Sequence, residues 1–226
     1  MYQKLLSYLA ALGIALGGGQ AVAVSAYLEE IPDDLITDLV DDLDSDELQD
    51  LDRVKLSEVL SEDPRSKVRK LAALLAADTG SPDLRPRAEA LLKKLTKDPC
   101  ATVRADAVFA LSCLMGHMGP LECNELVCSW ATSEHTRHRY AIAHAVSLLE
   151  HAHPGARMCI EFALEHLATD RAWKVRAAVA KAAFSRFDDN RDFYAEILQT
   201  LERDTAKSVR RIAKRERSKA SNKASA

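Results

Sequence analysis

One short pattern recurs along this chain at nearly constant spacing. "DPRSKVRKLAALLAA" begins at Asp63, "DPCATVRADAVFAL" at Asp98, "DRAWKVRAAVAKAA" at Asp170 and "DTAKSVRRIAKRER" at Asp204. A degenerate copy, "SEHTRHRYAIAHAV", begins at Ser133. The Val-Arg pairs Val68-Arg69, Val103-Arg104, Val175-Arg176 and Val209-Arg210, with His138-Arg139 in the third copy, are separated by 35, 35, 37 and 34 residues. Other columns keep the same register. Four residues after the Val stand Ala72, Ala107, Ile142, Val179 and Ala213, and eight before it stand Leu60, Leu95, Trp130, Leu167 and Leu201. A period of this length means that one supersecondary unit is copied and stacked, because a single unit cannot bury its own apolar face.

Each column has a physical task. The Asp or Ser that opens a copy suits a helix N-cap, where its side-chain oxygen accepts from the first-turn N–H groups. Pro64 and Pro99 follow at once, where a fixed φ and a missing donor cost least. The Val, the residue four after it and the residue seven after it (Leu75, Ala110, Ala145, Ala182) share one helical face. That face is rich in Ala, so a neighbouring helix can approach closely. A partner helix precedes each Asp: "DELQDLDRVKLSEVL", "LRPRAEALLKKL", "PLECNELVCSWA", "GARMCIEFALEHL" and "RDFYAEILQTL". Ala and Leu dominate the composition, Gly and Pro are few, and nothing alternates with the β-branched enrichment of a strand. The expected fold is all-α, with about five antiparallel helical hairpins stacked into an α-solenoid.

The motif D-P-x-x-x-V-R-x-x-A-x-x-A-L on the second helix of each hairpin resembles the HEAT repeat, particularly its shorter variety, over residues 46–215. The period is shorter than the roughly 40–47 residues usual for HEAT and armadillo units, and the tetratricopeptide signature is absent. The third copy departs from the pattern at Ser133, Glu134 and His138. This resemblance implies an armadillo-type superhelix. It also implies that the recurring acid and base form a structural ladder between hairpins: Asp63, Asp98, Asp170 and Asp204 with Arg69, Arg104, Arg139, Arg176 and Arg210.

The two ends of the chain differ from its middle. Residues 5–28, "LLSYLAALGIALGGGQAVAVSAYL", carry no charge. They are read as an apolar N-terminal segment spanning 1–28, either helices packed on the first hairpin or a signal or membrane segment. Residues 29–63 hold 15 acidic and 2 basic side chains, whereas residues 203–226 hold 9 basic and 2 acidic. The repeat domain is placed at 29–215. Residues 216–226 are expected to form a disordered basic tail. Both charged ends suit docking to a partner of opposite charge.

Little in the sequence suggests catalysis. Cys100, Cys113, Cys123, Cys128 and Cys159 form no C-x-x-C pair, and the spacing Cys113, His117, Cys123, Cys128 matches no standard zinc pattern. Scattered thiols in odd number fit a reducing, cytoplasmic setting, with export or membrane anchoring through residues 5–28 as the alternative. No nucleophile elbow, phosphate-binding loop or dinucleotide fingerprint is present. No catalytic residue, metal ligand or cofactor is assigned. The expected function is a non-catalytic scaffold or adaptor that binds a protein on the concave face of the second helices. Lys67, Lys70, Arg137, Trp173, Lys174, Lys181, Lys207 and Arg211 are the candidate contacts. Nucleic acid is the alternative partner, through the same basic stripe and the C-terminal tail; this would resemble the HEAT-like alkylpurine DNA glycosylases, with Trp173 against an extruded base. A bilin lyase or chaperone of the short-HEAT type is a second alternative that no residue specifically supports. A membrane contact is expected only through residues 5–28.

Overall fold

The computed structural model describes residues 50–149 and 154–224. The apolar segment 5–28, and the acidic stretch up to residue 49, lie outside the described residues. Among those described, all regular structure is helical. The helices are α1 (Asp50–Leu60), α2 (Ser66–Ala77), α3 (Arg85–Leu95), α4 (Ala101–Gly116), α5 (Pro120–Ala131), α6 (Thr136–Leu148), α7 (Arg157–Ala168), α8 (Trp173–Ser185), α9 (Arg191–Leu201) and α10 (Lys207–Ala224), with a 3-10 turn at Pro154–Ala156 before α7. Each repeated Asp lies in the bend that leads into the second helix of a pair.

Among the described residues the repeat domain falls into two compact units, one ending at Ala110 and the other beginning at Leu111. Stacked hairpins bury their apolar faces against their neighbours, so each unit is described by its own helix pairs. In the first unit α1 pairs with α2, and α3 packs on both. In the second unit the first helices form one layer, α5 on α7 and α7 on α9. The second helices form the other, α6 on α8 and α8 on α10.

Burial follows the columns. The Val column (Val68, Val103, Val175, Val209) and the column four residues later (Ala72, Ala107, Ile142, Val179, Ala213) are buried throughout. So is the partner-helix column of Leu60, Leu95, Trp130, Leu167 and Leu201. α6 and α8 pack on each other and carry the buried Ala141, Ala145, Ala178 and Ala182, whose small side chains suit close approach of second helices. The degenerate third copy repairs itself locally. His138 replaces Val, and its ring lies 5.3 Å from that of Trp130, which replaces Leu. Its Nδ1 is 3.0 Å from the hydroxyl of Ser133, which replaces Asp.

Two details depart from the sequence reading. The capping residues of α2, α6 and α8 are Arg65, His135 and Ala172, each in extended backbone. The repeated Asp therefore stands two residues ahead of the cap, and Pro64 and Pro99 lie before their helices rather than inside them. Residues 216–224, expected to be a frayed tail, continue α10 to Ala224. Tertiary contacts hold them: Glu216 and Ala220 are buried. The Lys219 ammonium lies 5.3 Å from the Phe184 ring of α8, and Arg217 pairs at 2.9 Å with Glu202, the residue that caps α9. Glu216 occupies the column filled by Leu75, Ala110, Ala145 and Ala182 in earlier copies, and Arg215 and Lys219 neutralise it at 2.5 and 3.0 Å.

Truncating a column residue tests this packing. Leu167→Ala should lower the unfolding free energy by about 2–5 kcal/mol in urea denaturation, whereas Arg191→Ala, on an exposed position, should change it by less than about 0.5 kcal/mol.

Candidate protein-binding surface and the ladder behind it

The bend of each copy is held by the same small set of hydrogen bonds. The Asp carboxylate accepts the N–H two residues on: Arg65 N–H to Asp63 at 2.8 Å, and Cys100 to Asp98, Ala172 to Asp170 and Ala206 to Asp204 at 2.7 Å each. This is an Asx turn, the local bond that Asp makes most readily. Ser133 makes a longer version, 3.3 Å from the His135 N–H. The Arg six residues later then folds back over the bend. Its Nη1 donates to the carbonyl oxygens of the opening residue and usually the next one. Arg69 reaches Asp63 and Pro64 at 2.8 and 2.7 Å, Arg104 reaches Asp98 and Pro99 at 2.7 and 2.8 Å, and Arg139 reaches Ser133 and Glu134 at 2.7 and 2.9 Å. Arg176 reaches Asp170 at 2.5 Å, and Arg210 reaches Asp204 and Thr205 at 2.7 and 2.8 Å.

In Arg69, Arg139 and Arg176 the same guanidinium also crosses to the next copy. Arg69 Nε and Nη2 grip both oxygens of Asp98 at 2.7 and 3.0 Å. Arg139 grips Asp170 at 2.5 and 3.3 Å, and Arg176 grips Asp204 at 2.5 and 2.8 Å. These are fork-to-fork bidentate pairs, the strongest arrangement open to Arg and a carboxylate. Burial alone would raise the Asp98 and Asp170 carboxyls, but the hydrogen bonds from Arg69 and Arg139, with the backbone N–H in each bend, outweigh it and hold both below the usual range. For Asp204 the bonds from Arg176 dominate, with the same result. Ladder residues thus spend their charge inside the fold. An open cleft of about 730 Å³ in the second unit is lined by Ser133, His135, Arg139, His166, Asp170 and Arg171, and the Arg139–Asp170 pair forms part of its wall.

The candidate contacts lie elsewhere, on the outward side of the second helices. Lys67 and Lys70 are on α2, in the first unit. Lys67 is exposed, but Lys70 is half-buried and pairs with Asp106 of α4 at 3.2 Å. The other six are all exposed and all in the second unit: Arg137 on α6, Trp173, Lys174 and Lys181 on α8, and Lys207 and Arg211 on α10. Because α6, α8 and α10 are successive neighbours, these six share one helical layer. Trp173 is 45% exposed, and the Lys174 ammonium lies 5.8 Å from its ring centroid.

Periodicity did not single out two further residues of this layer. Tyr140 and His144, one turn apart on α6, stack with centroids 5.7 Å apart and planes 10° from parallel. Burial, and then the positive charge of Lys181 on α8, push the His144 imidazole below its ordinary value. Tyr140 occupies the column of Lys70 and Arg211, and His144 that of Lys181. The column itself was the available signal, obscured by the degeneracy of the third copy. Among the described residues no three His, Cys, Asp or Glu side chains converge as a metal site would require. No helix among them is long and apolar enough to cross a membrane.

Comparison with known proteins agrees with this geometry. Residues 88–183 match the family of HEAT repeats. That segment of the chain is built of HEAT repeats. It runs from α3 into α8 and includes the Asp98, Ser133 and Asp170 bends and the Arg139–Asp170 rung. Among solved structures the chain is similar to an engineered protein, at 20% identity over 90% of both chains with a TM-score of 0.45. It is also similar to YibA of E. coli, at 19% identity over 87% of this chain and 74% of that one, with a TM-score of 0.44. No curated protein matches the chain.

The ladder makes two predictions. Asp170→Ala should cost roughly 2–4 kcal/mol of unfolding free energy, because it strands Arg139 and opens the bend. Glu58→Gln, which breaks the exposed Glu58–Arg87 pair of α1 and α3, should cost less than about 1 kcal/mol. The second concerns pH. A carboxyl with a lower pKa folded than unfolded favours the folded state in full above its unfolded value, and that contribution is lost as pH falls through the folded value. The melting temperature should therefore hold between pH 7 and 5 and fall below about pH 4, with a shallower acid dependence in Asp170→Ala.

Proposed function

We propose that the protein is a non-catalytic scaffold that binds an acidic segment of a protein partner along the second-helix layer of its second unit. One observation carries this reading. Lys174, Lys181, Lys207 and Arg211 stand exposed on α8 and α10, while Arg139 of α6 and Arg176 of α8 are committed to the carboxylates of Asp170 and Asp204. The exposed cations are therefore the part of the layer's charge that faces outward. Trp173 and Tyr140 add apolar area beside them. Aromatic anchors among cations are the composition that concentrates binding energy at protein interfaces. HEAT repeats commonly mediate contacts between proteins, and a repeated surface of this kind needs no catalytic constellation.

A charge-reversal triple, Lys174→Glu/Lys181→Glu/Arg211→Glu, tests the reading against Arg191→Glu on α9 of the other layer. Pull-down from native cell extract should retain the same proteins with wild type and Arg191→Glu. The triple should lose them, with affinity for an isolated partner reduced at least about tenfold and weakened by salt. If the triple retains the same proteins, or wild type retains nucleic acid in place of protein, the reading fails.

A further inference from the structure

Two thiols meet across the first-helix layer of the second unit, on elements that contribute nothing to the basic layer or to the ladder. Cys128 lies in the last turn of α5 and Cys159 in the first turn of α7. Their Sγ atoms are 3.1 Å apart, and Cys159 Sγ is also 3.4 Å from the carbonyl oxygen of Asn124. A disulfide requires sulfurs near 2.05 Å, so about 1 Å of side-chain movement separates this contact from a bond. Cys128 is exposed and Cys159 half-buried.

We propose that Cys128 and Cys159 are a redox-modifiable pair, oxidised by peroxide to a reversible disulfide that staples α5 to α7. The two sulfurs differ in role. Burial, and then the contact with Cys128, push the Cys159 thiol up to about 12, so it stays protonated until it reacts. Cys128 is the sulfur that a dissolved oxidant reaches first. Its thiolate attacks one oxygen of hydrogen peroxide, the O–O bond breaks, and the departing hydroxide takes up a proton as water. This leaves a sulfenic acid on Cys128. Cys159 sulfur then attacks the sulfenic sulfur and the S–O bond breaks. The departing hydroxide takes the Cys159 proton and leaves as a second water. Two thiols have lost two electrons and two protons, and one peroxide has become two waters. A dithiol reductant reverses the bond by thiol–disulfide exchange and is itself oxidised to a disulfide. Cys123, on the same helix as Cys128, is the natural competitor. It is buried, and burial raises its thiol to about 11.

The test uses the full chain. After treatment with hydrogen peroxide, remaining thiols are alkylated and the protein is cut with trypsin and a glutamyl endopeptidase. These enzymes place Cys128 alone in residues 126–134 and Cys159 alone in 158–161. The two peptides should be recovered joined, and separated again by dithiothreitol. Cys128→Ser and Cys159→Ser should each abolish the link, with Cys159 left as an alkylated thiol in the first and Cys128 left unlinked as a sulfenic acid that dimedone traps in the second. Because the bond closes a loop between successive repeats, oxidised wild type should melt about 5–10 °C above reduced wild type, and Cys128→Ser should show no such shift. Recovery of both peptides alkylated and unlinked, or of Cys159 joined to Cys123, would overturn the pairing. A cross-link without a rise in melting temperature would overturn the staple.

Discussion

A single carboxylate serves two repeats. Asp98 accepts the Cys100 N–H to make its own bend, and it receives the forked guanidinium of Arg69 from the copy before. Asp170 and Asp204 do the same with Ala172 and Arg139, and with Ala206 and Arg176. The local turn and the contact to the neighbour are thus one structure. A bend that opens loses its neighbour, and a neighbour that departs leaves a buried charge without its partner. Apolar columns alone would let hairpins slide along one another at modest cost, because Ala faces are smooth. A bidentate pair accepts only one alignment. Hydrophobic burial supplies most of the favourable energy, and the rung selects the register in which it is collected.

The same division of labour organises the surface. Charges that hold the fold point into the bends and are neutralised there. Lys174 and Lys181 of α8 and Lys207 and Arg211 of α10 stand exposed instead, in the layer that also carries Trp173 and the stacked Tyr140 and His144. The two helical layers also differ in character. The second-helix layer is basic and aromatic. The first-helix layer presents apolar residues, Met158 at 81% and Phe162 at 64% exposure, near the Cys128–Cys159 contact. Recognition and redox chemistry would therefore act on opposite layers of the second unit. The tie between α5 and α7 would leave the basic layer's side chains untouched.

The architecture was legible because each column repeats both chemistry and burial. Val, Ala and Leu recur every 34–37 residues, and a helix can bury those positions together in only one way. The bend was half legible. Asp before a helix signals a local side-chain bond, but the same residue serves an N-cap and an Asx turn two residues earlier, and only coordinates separate them. The helical end of α10 was not legible, since its local sequence is charged and polar. Glu216, Ala220 and Lys219 are held by contacts with Arg215, Phe184 and the neighbouring helices rather than by propensity. Within the candidate surface, exposure followed from helical phase. Pairing did not: Lys70 meets Asp106 from another helix, as Cys128 meets Cys159. The third copy concealed Tyr140 and His144 because Ser133 and His138 break the motif that would have placed them.

The claim that adjacent repeats are coupled through the shared carboxylate is tested most directly by a double-mutant cycle on Arg176 and Asp204. Unfolding free energies of wild type, Arg176→Met, Asp204→Asn and the double variant in urea give the coupling without the separate effects of each change. The account predicts a coupling of at least about 1 kcal/mol, with the double variant little worse than the poorer single one. A coupling within about 0.3 kcal/mol of zero would mean that the two residues act independently, and that packing alone holds the repeats in register.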